Sequence, residues 1–582
     1  MRKTKIICTI GPATDTEKPM RQLIENGMDV ARFNFSHGDH ATHKSRIDLL
    51  KKLRAEYDRP IGILLDTKGP EVRIKRFKTG SAELKEGGKF TLLMQDAEGN
   101  DKQVSITYPQ LASELPKGTR ILLDDGLIEL EAESVTPQAI ACRVITGGVL
   151  RDNKSINVPS VHMQMDYISD KDRGDILFGI ENDVDFIAAS FCRTAQDVLE
   201  VRQILEKNNG KDIQIIAKIE NESGVNYIDE IIKVSDGIMI ARGDMGVELD
   251  IVDLPRIQKL LIKKAYSAGR KVITATQMLD SMIHNPRPTR AEATDVANAV
   301  YDGTSAIMLS GETAVGKYPI ESLVTMSRIA ENTENNIHYK TRFNTKLPEY
   351  CASVTSAISH ATCSTAHSLG ASAIIAFTKS GRTARMVSSF RPAVPIIACS
   401  PIDKVCHQLA LSWGVCPVLG EEQDNTDKLF EHAVERAKST GLVQHGEVVV
   451  ITAGVPIGIS GTTNTLKVHI VGNVLLKGTG YNNMIISGKL CVAASEQAAR
   501  DMFEPGDILV IPHTSNALMD LLKEASGIIT EQGGVDSHAV IVGLTLGIPV
   551  LCDAENATDI LKNGTTVTLD TARGMVYTGI AQ

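Results

Sequence analysis

The sequence predicts an α/β protein built on a (β/α)8, TIM-type barrel. The barrel is interrupted by a small β domain and followed by two further α/β domains. Three observations predict this. Eight short β-branched runs each end in a polar or glycine-rich segment. Most gaps between them are about 23 to 35 residues, room for one helix each. The gap between the third and fourth runs is about a hundred residues, far beyond an ordinary loop.

The eight runs are TKIICTIGP from Thr4, MDVARFNFSHG from Met28, IGILLDTKGP from Ile61, VDFIAASF from Val184, IQIIAKIEN from Ile213, GIMIARGDMG from Gly237, KVITATQM from Lys271 and SAIMLSGET from Ser305. Near-continuous apolar strands suit a parallel sheet buried on both faces. Helical patterns such as DVLEVRQILEKN, LPRIQKLLIKKAYSAG and TRAEATDVANAVYDG fill the gaps. Eight such units favour a closed barrel, with chemistry at the C-terminal strand ends, over an open doubly wound sheet. The barrel is expected over 1–69 and 169–344. An inserted β-barrel lid is expected over 70–168, where KFTLLMQ, KQVSITYP, GTRILLDDGLIELEAESV and AIACRVITGG read as antiparallel strands. Such a domain could close over substrate and exclude water. A third domain is expected over 345–475 (AIIAFT, PIIACS, EVVVITAG, KVHIVG). A fourth is expected over 476–582, entered through KGTGYNNM, which reads as a linker.

Composition narrows the class. The 582 residues are 42% hydrophobic and 4% aromatic, so the cores are aliphatic. A net charge of −9 gives no bulk attraction to nucleic acid or an anionic membrane. No apolar run reaches the roughly 20 residues of a membrane span, and the basic, briefly apolar start reads as a strand and not as a signal peptide. The 10 scattered cysteines include no CxxC and read as reduced core thiols, pointing to the cytoplasm.

Strand five ends in Lys218-Ile219-Glu220 and strand six in Arg242-Gly243-Asp244. Residues two apart on a strand point the same way, so Lys218 and Glu220 both enter the barrel top. Glu220 and Asp244 form a pair of hard oxygen ligands suited to Mg²⁺ or Mn²⁺. Lys218 beside them suits stabilisation of a developing oxyanion; a plain ion pair with Glu220 is the alternative. Arg32 and Arg73 can clamp a phosphoryl group through their planar forks. Asn34, Ser36, Asp66 and Thr67 offer oxygens suited to a larger monovalent cation, although each alone is more often a turn or cap residue. Thr276 and Ser310 close strands seven and eight. GETAVGKY nearly matches a P-loop, but Tyr318 stands where a hydroxyl ligand of Mg²⁺ is needed. The set describes metal-assisted phosphoryl or enolate chemistry, carried by positioning and charge neutralisation.

Over about residues 1–475 the chain resembles pyruvate kinase. The resemblance rests on TKIICTIGPAT, ARFNFSHG, LLDTKGPEVR, IIAKIENESGV, ARGDMGVE, ITATQMLDSM, NPRPTRAEATDVANAVYDGTSAIMLSGETA and ITAGVPIGISGTTN. It implies transfer of the phosphoryl group of phosphoenolpyruvate to ADP. It implies Glu220 and Asp244 as divalent-metal ligands and Lys218 as stabiliser of the transferring group and the enolate. Arg32 would contact the substrate phosphate, and Gly243 with Thr276 its carboxylate. Asn34, Ser36, Asp66 and Thr67 would hold K⁺, with Glu71 the residue type that accompanies K⁺ dependence. Arg73, His37 and Lys154 would contact the nucleotide, and Thr276 with Ser310 and water would protonate the enolate. One departure stands out: Ser160 replaces a glycine, and Met165-Asp166 a Leu-Pro pair, where the chain returns from the insert.

The segment TKSGRTAR resembles the phosphate-binding effector loop of allosteric members, with Thr378, Ser380, Gly381, Arg382 and Thr383 as its candidate contacts. A sugar phosphate or AMP would be the effector and a homotetramer the assembly; an ordinary left-handed turn is the alternative. GGVDSHAVIVGLTLGIPVL resembles the phosphohistidine domain of phosphoenolpyruvate-utilising enzymes, with His538 at the phosphorylated position and Ser537 in place of a cysteine. No domain is legible that would load His538, so a structural or regulatory role is favoured over a dikinase-like one.

Overall fold

The computed structural model describes residues 1–159, 161, 163–345, 353–455, 463–472 and 474–578. The chain divides into two compact units, Met1–Ala357 with Thr378–Ala393 and Ser400–Leu419, and Ile358–Phe377 with Val394–Cys399 and Gly420–Gln582.

The first unit contains a closed parallel barrel of eight strands: β1 (Lys5–Thr9), β2 (Val30–Asn34), β3 (Gly62–Asp66), β4 (Phe186–Ala189), β5 (Gln214–Ile219), β6 (Gly237–Ala241), β7 (Lys271–Ala275) and β8 (Ala306–Leu309). The ring closes where Lys5 pairs with Ala306 and Cys8 with Leu309. Strand residues are buried on both faces, which is why the runs read as continuous and not alternating. Outward residues such as Ile6, Cys8, Ile63, Leu65, Ile215 and Ala217 share one core with the surrounding helices. Inward residues Ile7, Val30, Leu64, Phe186, Ile216, Met239, Ile273 and Met308 fill the interior, joined by Leu411. The helices start where their caps dictate. Ser169 accepts from the N–H of Asp172 to open Asp170–Glu181, and Thr289 with Glu292 forms a reciprocal capping box for Arg290–Asp302.

The insert is a seven-stranded sheet in the order Val72–Arg73, Ser155–Asn157, Arg120–Leu123, Ile128–Thr136, Ala139–Thr146, Lys89–Leu93, Gln103–Ser105, with a separate ribbon of Ser81–Leu84 and Gly148–Arg151. The sheet curls until its two edges meet at an Ile74–Ile106 bridge, flanked by hydrogen bonds from Lys75 N to the Ser105 carbonyl at 2.7 Å and from Thr107 N to that of Arg73 at 2.9 Å. In place of the expected small β-barrel the insert is a half-barrel, a curled sheet whose edges touch at one isolated bridge, around a core that includes Phe90, Leu92, Ile121 and Leu130. Ser160, the altered return position, lies outside the described residues. Nearby, the Arg193 guanidinium donates to the carbonyls of Met163 at 3.3 Å and Met165 at 3.1 Å, and is itself paired with Asp197. A strand at Val415–Leu419, not among those read from the sequence, also belongs to this unit.

In the second unit Ala373–Phe377, Ile396–Ser400 and Val448–Ala453 run parallel, with Thr465–Ile470 antiparallel beside the last. The C-terminal sheet has eight strands. Parallel strands Ile485–Val492, Ile508–Ile511, Gly527–Thr530 and Val550–Cys552 form its centre, and antiparallel strands flank them.

KGTGYNNM is not a linker. Val474–Lys477 pairs with Met575–Thr578, and Thr479–Tyr481 with Val550–Cys552, so both are strands of that sheet. The glycines answer to close backbone approach: a Cβ on Gly480 would sit 1.8 Å from the Thr571 carbonyl oxygen. Backbone cannot yield as a flexible side chain can, so Gly480→Ala is expected to destabilise the C-terminal sheet by about 3 kcal/mol or more. Limited proteolysis would show it as early cleavage after residue 470 in the variant alone.

Among the described residues no helix is long and apolar enough to cross a membrane, and the nine described cysteines are all free.

Candidate active site

Alternation along the strands decides which side chains enter the barrel. Ile215, Ala217 and Ile219 face the helices and Ile216 the interior, so Lys218 and then Glu220 continue the inward line. The same parity carries Val30 to Arg32 in β2 and Leu64 to Asp66 in β3. Register places Asn34 beside Asp66, and Asp66 beside Ala188.

These side chains converge. Asp66, fully buried, accepts from Arg32 Nε at 2.7 Å through one oxygen and from Lys218 Nζ at 3.0 Å through the other. Lys218 Nζ also donates to Ser190 Oγ at 2.8 Å and lies 2.9 Å from Glu220 Oε1. Burial opposes the Lys218 charge, but Asp66 and then Glu220 outweigh it and raise the pKa, so the group stays an ammonium. Burial likewise opposes the charge on Asp66; Arg32 and Lys218 outweigh it and hold the carboxyl below its usual range.

Glu220 behaves differently. Phe191 N donates to its Oε2 at 2.6 Å, while the buried Oε1 accepts no hydrogen bond. Burial first, opposed by Lys218, with Asp244 adding to the rise, pushes Glu220 up to about 8. Ion pairing alone would lower it, so the desolvation of this carboxylate exceeds what one ammonium returns. A buried carboxylate oxygen that meets only the Lys218 ammonium, without a well-directed hydrogen bond, beside a second carboxylate fits a divalent cation. Asp244 lies in the first turn of the short helix Arg242–Glu248. Among the described residues no group of three or more His, Cys, Asp or Glu is assembled for a metal. Glu220 and Asp244, both lining the cavity described next, are the two carboxylates that could hold such a cation.

A cavity of about 900 Å³ opens onto this cluster. Arg32, Lys218, Glu220 and Asp244 line it from the barrel, Asn34, Ser36 and His37 from the loop after β2, and Arg73 and Lys154 from the insert. Asp66 and Thr67 lie outside that lining, Asp66 bonded to Arg32 and Lys218 that form it. Asn34 Oδ1 accepts from Ser36 N at 3.1 Å, and Thr67 Oγ1 from Ser190 N at 3.2 Å. Arg73 donates to Glu71 and to the Asn153 carbonyl, both at 2.8 Å, and Lys154 pairs with Asp124 at 2.7 Å. Asn157 of the insert donates to Glu248 of the barrel at 2.8 Å.

Thr276, Gly243 and Ser310 are not among the lining residues. Thr276 and Gln277 hold left-handed backbone, φ +74° and +53°, which is costly outside glycine. Arg242 supports that turn: its Nη2 donates to the Thr276 carbonyl at 2.7 Å while Nη1 pairs with Asp295 at 2.6 Å. Gly243 is held close, since a Cβ there would lie 2.8 Å from Thr276 Cγ2. Buried Glu312 accepts from Leu279 N at 3.0 Å and Ser310 N at 2.8 Å, tying the last two strand ends together.

Sequence reading did not single out Ser190, Phe191 N, Arg193, Arg242 or Glu312 as site groups. Ser190 and Phe191 carry no chemical signature, and only the inward parity of β4 could have marked Ser190. In the proposed effector segment, Gly381 takes φ +76° and opens the helix Arg382–Ser389; Thr378 and Thr383 are buried and Arg382 exposed. His538 begins the helix His538–Leu546, with Nδ1 2.9 Å from Thr514 Oγ1 and Nε2 3.0 Å from Asn516 Oδ1.

Comparison with known proteins bears on the whole chain. Residues 1–323 match the family model for the pyruvate kinase barrel domain, 356–469 that for the pyruvate kinase alpha/beta domain, and 503–574 that for the mobile domain of PEP-utilising enzymes. Curated relatives called pyruvate kinase align end to end. One from Geobacillus stearothermophilus is 49% identical over 582 residues, covering 100% of this chain and 99% of its own. One from Sporosarcina psychrophila is 48% identical over 583 residues, covering both chains fully. With the barrel, the insert and the strand-end cluster in place, the chain belongs to the pyruvate kinase family.

Proposed function

We propose that the cavity at the barrel mouth transfers the phosphoryl group of phosphoenolpyruvate to ADP, with Lys218 as the central catalytic group. The observation that carries this reading is the meeting of Lys218 with Asp66, Ser190 and Glu220 at the wall of one cavity. In the reaction the P–O bond to the enol oxygen breaks and a bond to the terminal phosphate oxygen of ADP forms. The electron pair stays on the enol oxygen, and a proton then reaches the terminal methylene carbon, which becomes the methyl group of pyruvate. Lys218 supplies a permanent ammonium charge beside the departing oxygen. Arg32, with its Nε committed to Asp66 and its Nη1 to Thr9 Oγ1, has Nη2 left to present to phosphoryl oxygens. A divalent ion held by Glu220 and Asp244 would add positive charge facing the same oxygens.

Finer assignments rest on the family resemblance and the positions above. The Gly243 backbone and Thr276 receive the carboxylate, and Thr276 with Ser310 and water delivers the proton. Asn34, Ser36, Asp66 and Thr67 hold K⁺, and His37, Arg73 and Lys154 contact the nucleotide. The loop of Thr378, Ser380, Gly381, Arg382 and Thr383 is the proposed seat of a sugar-phosphate or AMP effector in a homotetramer.

The test is pyruvate formation from phosphoenolpyruvate and ADP with Mg²⁺ and K⁺. One ATP should appear per pyruvate. Rates should vanish without a divalent ion and fall by about tenfold or more without K⁺. No pyruvate under full conditions would end the proposal. Lys154→Met is expected to raise KM for ADP by about fivefold to tenfold and leave KM for phosphoenolpyruvate unchanged, since the lost contact is to one substrate only. Initial-rate kinetics with each substrate varied would check it.

A further inference from the structure

At the end of the barrel opposite the active mouth, a second, small cavity holds far more positive charge than its surroundings neutralise. It lies wholly within the first unit, where the starts of β6, β7 and β8 meet the helix Arg382–Ser389 and the Ser412–Trp413 segment. Its volume is about 70 Å³. Four cationic side chains line it, Arg270, Lys271, Arg385 and Arg391, against one carboxylate, Asp236. That carboxylate is already engaged, accepting from Arg202 at 2.6 Å and from Ile215 N at 2.9 Å.

The four cations are not equivalent. Arg391 is fixed: it donates to the Gly303 carbonyl at 3.1 Å and to Ser305 Oγ at 3.0 Å, and lies 4.6 Å from the Trp413 ring centre. Lys271 donates to Gln214 Oε1, a neutral partner, so that Asp236, already engaged elsewhere, is the carboxylate that offsets its charge in part. Burial, reinforced by Arg385, pushes Lys271 down to about 7. Arg385 Nη1 is buried and has no hydrogen-bond partner, and neither has the buried hydroxyl of Ser412. Lysine can relieve such a site by losing its proton; a guanidinium cannot. Buried donors without acceptors beside charge offset only in part form an unfinished arrangement, and a small anion would complete it.

We propose that this cavity is an anion-binding site, separate from the active mouth, that takes one small inorganic anion on Arg385, Lys271 and Ser412. Its volume is several times the ~10–15 Å³ that one water requires. That is room for a single phosphate-sized ion or a halide with water, and too little for a sugar phosphate. The candidate effector contacts Thr378, Ser380, Gly381, Arg382 and Thr383 do not line it; Arg385, the last residue of the same TKSGRTAR segment, does, and its Nη1 packs against Gly381.

The test follows thermal unfolding of the full chain in buffer free of halide and phosphate, then with inorganic phosphate or bromide added. The active mouth contributes its own phosphate response to every variant, so the comparison is between variants. The wild type is expected to gain about 2 °C more than Arg385→Met, and crystals soaked in bromide should show an anomalous peak in the cavity. A response to phosphate alone, or to bromide alone, would identify the preferred anion. Equal increments in wild type and variant, with no bromide peak, would overturn the proposal. Lys271→Met and Ser412→Ala, which lie outside the TKSGRTAR segment, should lose the same increment, and they carry the comparison alone should Arg385→Met fail to fold; an increment lost in Arg385→Met only would overturn the proposal.

Discussion

Lys218→Met is expected to lower turnover by roughly three to four orders of magnitude while KM for phosphoenolpyruvate changes by less than about threefold. Methionine matches the lysine stem in length and removes only the ammonium. Asp66 keeps its bond to Arg32, and Ser190 keeps its contact with Asp66 at 3.1 Å, so the wall of the site stands. What disappears is the fixed charge beside the oxygen from which phosphorus departs. That charge is needed mainly after bond breaking begins, and a group serving only the transition state shows in kcat and not in KM. Lys218→Arg is expected not to restore the rate, because a planar fork does not occupy the place of a point charge held among three oxygens. Steady-state kinetics on both variants would check this, with thermal unfolding as a control on folding. Turnover within tenfold of wild type would remove Lys218 from the chemistry.

The barrel was legible because its strands obey two rules at once. Burial on both faces makes them continuous apolar runs, and strict alternation sends every second residue inward. KIENE therefore announces Lys218 and Glu220 as neighbours before any coordinates exist. Other parts were opaque for physical reasons. Val415–Leu419 carries a proline at Pro417 and is only partly buried, so it lacks the signature of a central strand. KGTGYNNM has the composition of a linker, yet its glycines serve backbone contact and Asn482 and Asn483 take positive φ. Within the site the charged residues stood out and their supports did not. Ser190, the Phe191 amide and Glu312 act through position, and position emerges only when β4, β7 and β8 are set beside their neighbours. Arg32 shows the converse limit. Its type suggested a free phosphate clamp, whereas its Nε is spent on Asp66 and Nη1 on Thr9.

Glu220→Gln should separate activity from stability more sharply than any other substitution in the site. Glutamine keeps an oxygen that can accept from Phe191 N, so the turn after β4 is retained. It removes a carboxylate that is fully buried, is repelled by Asp244 and has one oxygen that meets only the Lys218 ammonium, with no well-directed hydrogen bond. Such a group costs free energy in the metal-free protein, and the neutral isostere relieves that cost. The metal-free variant is therefore expected to be at least as stable as the wild type in thermal unfolding. Its affinity for Mn²⁺, followed by electron paramagnetic resonance, should fall by about tenfold or more, because one of two anionic ligands has become neutral. Turnover should fall by roughly three orders of magnitude, and saturating Mn²⁺ should recover only part of it, since a neutral amide also leaves Lys218 with one anionic neighbour fewer. Loss of stability together with activity would point to Glu220 as a structural ion-pair partner of Lys218. Loss of activity and Mn²⁺ affinity at undiminished stability is the signature of a carboxylate kept in an unfavourable place for a cation to use.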